Sequence, residues 1–223
     1  VTSDGPRLEP TAPGWQVERR RGSGAELHAL DWPDPLEPTV WLLDVERPAL
    51  VLGSTQSAST VDAIALTGWG IELAGRRSGG GAVLLVPGQS VWIDVFIPAS
   101  HLRWDADVNR SFHWLGEVWV AALADLGVEA AVHRGGLVRT AQSDRVCFAG
   151  LGAGEVTIAG AKAVGLSQRR TRAGARFQCV VHRSWDSAPL AAIAGVTPED
   201  LPPVATLANP VASIETALLR QLA

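Results

Sequence analysis

The chain has 223 residues, 47% of them hydrophobic, with a net charge of −4 and a pI near 5.7. That length suits one domain with a sizeable core. The acidic balance argues against nucleic acid and anionic membrane as partners, and no apolar run reaches membrane-spanning length.

Val1 to Pro13 is polar, carries three prolines and lacks the apolar core of a signal peptide. Residues 1–13 are expected to form a loose tail and residues 14–223 a single domain. The chain opens on Val1 and contains no methionine, which fits a trimmed start. Arg21 to Leu30 has short helical character. Thr39 to Asp44, Ala49 to Gly53 and Gly70 to Ala74 are apolar runs of strand length. Ser90 to Ile97 is a strong strand stopped by Pro98. Asp107 to Leu126 reads as the clearest helix, with Gly127 beyond its end. Val128 to Val132, Glu155 to Ala159, Lys162 to Gln168 and Arg176 to His182 read as strands, the middle two joined by a tight turn at Gly160-Ala161. The end is helical, with Asn209 as N-cap and Pro210 in the first turn. Strands outnumber helices and short turns join them. The expected fold is α+β: a mixed, mainly antiparallel sheet packed with helices.

Three segments can carry chemistry. Lys162 is the only lysine among 19 basic residues. A compact ammonium on a flexible stem is not interchangeable with a guanidinium where a point charge must meet a phosphate or an oxyanion. The second segment is Arg76-Arg-Ser-Gly-Gly-Gly81, where successive backbone N–H groups and adjacent arginines offer a concave anion site. No Gly-Lys-Ser/Thr follows, so it is not a Walker loop. Gly150 to Gly154 has no helix behind it and is not a dinucleotide fingerprint. The third is Cys147, beside Phe148. A thiol there is by default a buried packing group; a cation such as Lys162 would make it reactive. Cys179 alternates within a strand and reads as core. With two cysteines, no CxxC, no HExxH and five histidines without ligand spacing, no metal site is expected, and a reducing cytoplasm fits best.

Arg76-Arg-Ser-Gly-Gly-Gly-Ala-Val83, Lys162-Ala-Val-Gly-Leu-Ser-Gln168 and Ala49-Leu-Val-Leu-Gly-Ser-Thr-Gln56 occur in the order and spacing of the lipoate–protein ligase and octanoyltransferase family, which the chain resembles over roughly residues 25–190. The resemblance implies the catalytic fold shared with biotin–protein ligases. It implies activation of lipoate or octanoate with ATP and Mg2+, then transfer of the acyl group to a carrier lysine. The carrier would be the lipoyl domain of a 2-oxoacid dehydrogenase or the glycine-cleavage H protein. Lys162 would contact the adenylate and stabilise developing charge. Arg76, Arg77, Ser78, Gly79, Gly80, Gly81 and Ala82 would hold the acyl-adenylate; Gly165 and Ser167 lie on the lysine strand. Gly53 and Gln56 would border a narrow acyl tunnel.

A cysteine-dependent branch needs neither ATP nor metal and draws octanoate from an acyl carrier protein through a thioester. Its cysteine precedes the lysine by about fifteen residues in a Cys-Phe context, which Cys147-Phe148 and Lys162 resemble. A third reading is a non-catalytic protein that binds a lipoyl or acyl carrier. It is motivated by Leu84-Leu-Val-Pro-Gly88, which stands where the family commonly has an aromatic residue, a histidine and an aspartate. Many members of that family carry an extra C-terminal domain for which the chain leaves no room, so a separate accessory chain is a further expected partner.

Overall fold

The computed structural model describes residues 11–223. Within them lie strands β1 (Gln16–Gly22), β2 (Thr39–Val45), β3 (Ala49–Leu52), β4 (Glu72–Gly75), β5 (Val83–Leu85), β6 (Ser90–Pro98), β7 (Ala131–Val132), β8 (Val156–Ile158), β9 (Ala161–Arg170) and β10 (Gly174–His182). Helices are α1 (Gly24–Ala29), α2 (Ala63–Gly68), α3 (His113–Asp125), α4 (Ala188–Ala194) and α5 (Val211–Leu222). The large sheet runs β1-β2-β6-β10-β9-β8-β7 and the small sheet β4-β3-β5. Only β1 with β2 and β3 with β4 pair in parallel among the described strands. The fold is therefore the expected mixed, mainly antiparallel α+β arrangement.

Strand alternation sorts the large sheet into two faces. On β6, Val91, Ile93, Val95 and Ile97 join Leu115 and Trp119 of α3 and Ile214 and Leu218 of α5 in one core. The intervening Trp92 and Phe96 meet Val51, Ala74, Val83 and Leu85 of the small sheet in a second core. β10 alternates likewise: Phe177 and Cys179 face the helices, while Val180 packs toward the small sheet. Between the sheets, Asp94 is fully buried. It accepts hydrogen bonds from Arg176 Nε at 2.7 Å and Trp92 Nε1 at 2.8 Å.

A register shift decides where Lys162 points. Thr157 pairs with Lys162, but the preceding Val156 pairs with Val164, so β9 carries one extra residue, a bulge at Ala163. In an unbroken strand Lys162 would share the face of Val164 and Leu166, which lies in the helix-side core. The bulge turns it to the opposite face, beside Gly165.

Several elements differ from the sequence expectation. β1 begins before the short helix and carries Arg19, Arg20 and Arg21, charged side chains suited to an edge strand. Its neighbour α1 starts at Ser23, which forms a capping box with Glu26. Helix α3 begins at His113 and not at Asp107, because Asp107 Oδ1 accepts from the amides of Asn109 and Arg110 and holds a turn there. Pro210, not Asn209, occupies the N-cap of α5. Of the expected tail, residues 1–10 lie outside the described residues; Ala12 is buried and bridged to Trp15.

Candidate functional site

Lys162 is buried, 6% exposed, and fully engaged. Its Nζ donates to the carbonyls of Cys147 and Gly150, each at 3.0 Å, and pairs with Glu155 Oε2 at 2.7 Å. Cys147 Sγ is 3.9 Å away, and the Phe148 ring lies 5.0 Å beneath the ammonium. Burial alone would push this lysine down, but the Cys147 sulfur and the Glu155 carboxylate outweigh it and hold the ammonium above its ordinary value. Gly165 makes the room: a Cβ there would lie 3.1 Å from Phe148 Cε2 and 3.5 Å from Lys162 Cε. Glu155, which sequence reasoning passed over, is itself fixed by the amides of Gly152 and Leu166 at 2.7 and 3.0 Å. The only signal for it was an acidic residue at the end of the glycine-rich turn.

The arginine–glycine loop folds over this centre. Ser78 Oγ donates to Gln178 Oε1 at 2.7 Å and lies 3.0 Å from Ser167 Oγ, tying the loop to β10 and β9. Ala82 exchanges backbone hydrogen bonds with Arg145 and Cys147, which clips the loop to the cysteine turn. The amides of Gly79, Gly80 and Gly81 have no hydrogen-bond partner among the described residues, and the three residues line the open cleft. Arg76 lies beneath the loop. It is buried, and its two terminal nitrogens donate to the carbonyls of Val51, Gly79 and Gly81 and so shape the loop, while its Nε has no hydrogen-bond partner among the described residues and the residue contributes to the wall of the apolar cavity. Arg77 is exposed and lines neither cavity described next. Gly53 and Gln56 do not border the apolar pocket either. A Cβ on Gly53 would lie 1.9 Å from the Gly80 carbonyl oxygen, so Gly53 seats the loop. Gln56 lines the polar cleft and donates to the carbonyls of Asp144 and Arg145.

Two cavities meet here. One, of about 370 Å3 including its mouth, is mainly apolar, with Val83, Leu85, Trp92, Phe148 and Val180 in its wall. The other is an open polar cleft of about 1240 Å3 including its mouth, reaching Lys162, Glu155 and the Gly79–Gly81 amides. Cys147, Leu166 and Ser167 belong to both. Leu84 and Leu85, where polar contacts were expected, are buried on β5, Leu85 toward the apolar cavity. His28 also lines that cavity. Burial, then the charges of Arg176 and Arg76, push it down to about 3, so it is a neutral ring stacked 4.3 Å from Trp92. Cys179 sits in the helix-side core, where burial pushes its thiol up. No group of three or more metal-ligating side chains occurs among the described residues, nor does any helix long and apolar enough to cross a membrane.

No curated protein matches the chain significantly. Solved structures do. The Thermoplasma acidophilum protein Ta0514, a putative lipoate protein ligase with bound lipoic acid, is similar at 20% identity and TM-score 0.65, over 85% of this chain and 72% of that one. A lipoate-protein ligase A bound with ATP is similar at 19% identity and TM-score 0.69, over 91% and 81%. A bi-partite archaeal lipoate protein ligase from Thermoplasma acidophilum, studied with its E2 lipoyl domain, is similar at 18% identity and TM-score 0.69, over 92% and 81%. At these identities the likeness is one of fold. The model of the lipoyl protein ligase A/B catalytic domain matches residues 26–223, and the chain belongs to that family.

Proposed function

We propose that this domain, residues 14–223, transfers a medium-length apolar acyl group to a lysine amine of a lipoyl-type carrier domain, and that Cys147 holds the group as a thioester between donor and acceptor. The observation that carries this reading is the place of Cys147: it is common to the apolar and the polar cavity, with its sulfur 3.9 Å from Lys162 Nζ. Family membership supports the acyl-transfer class. The archaeal bi-partite lipoate protein ligase studied with its E2 lipoyl domain supports that carrier, and its bi-partite make-up supports an accessory chain. The H protein is an equivalent acceptor by the same chemistry, and an acyl carrier protein is the proposed donor.

With the acyl chain in the apolar cavity, its carbonyl sits at Cys147. The sulfur attacks the carbonyl carbon of a donor thioester, and a new C–S bond forms. The donor C–S bond breaks, and the leaving sulfur takes the proton that Cys147 gives up. The carrier amine then attacks, an N–C bond forms, the bond to Cys147 breaks, and the surplus amine proton returns to the sulfur. Lys162 stabilises negative charge on the sulfur, and the unpaired Gly79–Gly81 amides are placed to receive charge on the acyl oxygen. Glu155 and the carbonyls of Cys147 and Gly150 position the ammonium.

The second reading is ATP-dependent activation with Mg2+. It is supported by the likeness to a lipoate-protein ligase solved with ATP and by the same amides, which suit phosphate oxygens. Against it stands charge: in the polar cleft Arg139 pairs with Asp144 at 2.6 Å and Lys162 with Glu155, which leaves no cationic excess there for a triphosphate. One assay separates the readings. A lipoyl domain is incubated with octanoyl-acyl carrier protein alone, or with octanoate or lipoate plus Mg-ATP, and its mass is read. Product from the acyl carrier protein, lost in Cys147→Ala, is expected; product only with ATP and intact in Cys147→Ala would overturn the thioester route. Tight carrier binding with no product in either arm would favour the non-catalytic reading.

A further inference from the structure

The apolar cavity ends at a wall of aromatic rings. Phe148 lines the cavity, and its ring stacks edgewise on His182 with centroids 4.6 Å apart. Trp185 closes on both, 5.9 Å from Phe148 and 4.8 Å from His182. Behind this wall lies a third space, an open cleft of about 660 Å3 including its mouth, to which His182 and Trp185 contribute together with the apolar Leu84 and Val86 and the polar Gln89, Ser184 and Asp186. Strand register shows how close the two spaces are. Trp92 and Val180 pair across β6 and β10 and line the first; Ser90 and His182 form the next same-face pair and line the third. Same-face pairs follow at about 7 Å. β5 completes the partition, with Leu85 in the first cavity and Leu84 in the third. Two spaces with apolar walls at β5 thus abut, which accounts for leucines on both sides of a segment where polar residues were expected.

His182 is held in the wall. It is 2% exposed, with Nδ1 3.3 Å from Ser90 Oγ, and that hydroxyl also accepts from the Val86 amide at 3.0 Å. Burial, then the Lys162 charge, push it down to about 3, so it stands as an uncharged ring.

We infer that Phe148, His182 and Trp185 set the upper limit on acyl chain length, and that the third cavity is the space a longer chain enters when the wall is opened. The inference rests on the acyl-transfer reading. His182 and Trp185 are the residues to alter, since Phe148 packs against Lys162. Octanoate and dodecanoate binding is measured by titration calorimetry, and turnover with the matching acyl donors, in wild type, His182→Ala, Trp185→Ala and His182→Phe. Each newly buried methylene is worth roughly fourfold in affinity. The wild type is expected to favour the eight-carbon chain. His182→Ala is expected to raise the dodecanoyl-to-octanoyl ratio at least tenfold, with His182→Phe, which keeps a ring in place, unchanged. Trp185 is only half-buried, so its variant serves if His182→Ala fails to fold. Folded alanine variants with unchanged ratios, or a wild type that binds dodecanoate as tightly as octanoate, would overturn the wall while leaving acyl transfer standing. A wild type that binds neither acid and transfers neither group would overturn the acyl-transfer reading and the wall with it.

Discussion

Replacing Lys162 by methionine should damage the fold as well as the chemistry. Glu155 is 5% exposed, and Lys162 is its one ion-pair partner among the described residues, with the Arg76 charge farther off. Its remaining partners are the amides of Gly152 and Leu166. Stranding a buried carboxylate in this way costs about 3–5 kcal/mol. For a chain of this size each kcal/mol moves Tm by roughly 2–4 °C, so Tm should fall by roughly 6–20 °C. Lys162→Met combined with Glu155→Gln should recover part of that loss. Recovery stays incomplete because the glutamine nitrogen cannot accept from an amide as the carboxylate did. Neither variant should regain acyl transfer, with turnover down on the order of 100-fold or more from the missing charge. Calorimetric melting of the two variants and the wild type, with the mass-based transfer assay, is the test. A single variant melting within about 3 °C of wild type would refute the claim that the pair is structurally coupled.

Cys147→Ser should melt near wild type and lose the acyl-protein adduct that mass spectrometry finds when wild type meets an acyl thioester; an adduct persisting in the variant would place the nucleophile elsewhere. In the native chain a thiol reagent should modify Cys147 alone, because Cys179 is fully buried with its thiol pushed up, and two thiols should react after unfolding. Gly53→Ala forces a Cβ onto the Gly80 carbonyl, so it should cost about 1–3 kcal/mol and disorder the glycine loop, read as lost transfer and a lower denaturation midpoint. Stability should fall on acidification. His28 and His182 stay neutral when folded down to about pH 3, whereas the unfolded chain takes up their protons below about pH 6.5. The unfolded state thus binds more protons from pH 6.5 to 3, and roughly 2–4 kcal/mol should be lost between pH 7 and 5. His182→Phe should remove about half of that slope, and an unchanged slope would refute the assignment.

Much of this protein is local chemistry and could be read without coordinates. The strands of β6, β9 and β10 announce themselves by apolar residues bounded by turn formers, and Gly127 ends α3 as its backbone freedom demands. The lone lysine, the arginine–glycine loop and the Cys-Phe pair were visible as residue types at a spacing. Orientation and partnership were not, because they depend on contacts distant in the chain. Arg76 reads as an anion binder in the sequence, and only the fold shows the carbonyls of Val51, Gly79 and Gly81 that hold its terminal nitrogens. Gln56 looked like part of the acyl tunnel, yet the turn at Gly53 sends it into the polar cleft. The wall formed by Phe148, His182 and Trp185 joins a turn, a strand end and a loop, and no periodicity links them. Above all, two-residue alternation in β9 assigns Lys162 to the helix-side core, where its charge would have no partner. One extra residue at Ala163 reverses that face, and only pairing with β8 reveals it. Residue types name the chemistry available; the packing of two sheets decides which groups meet.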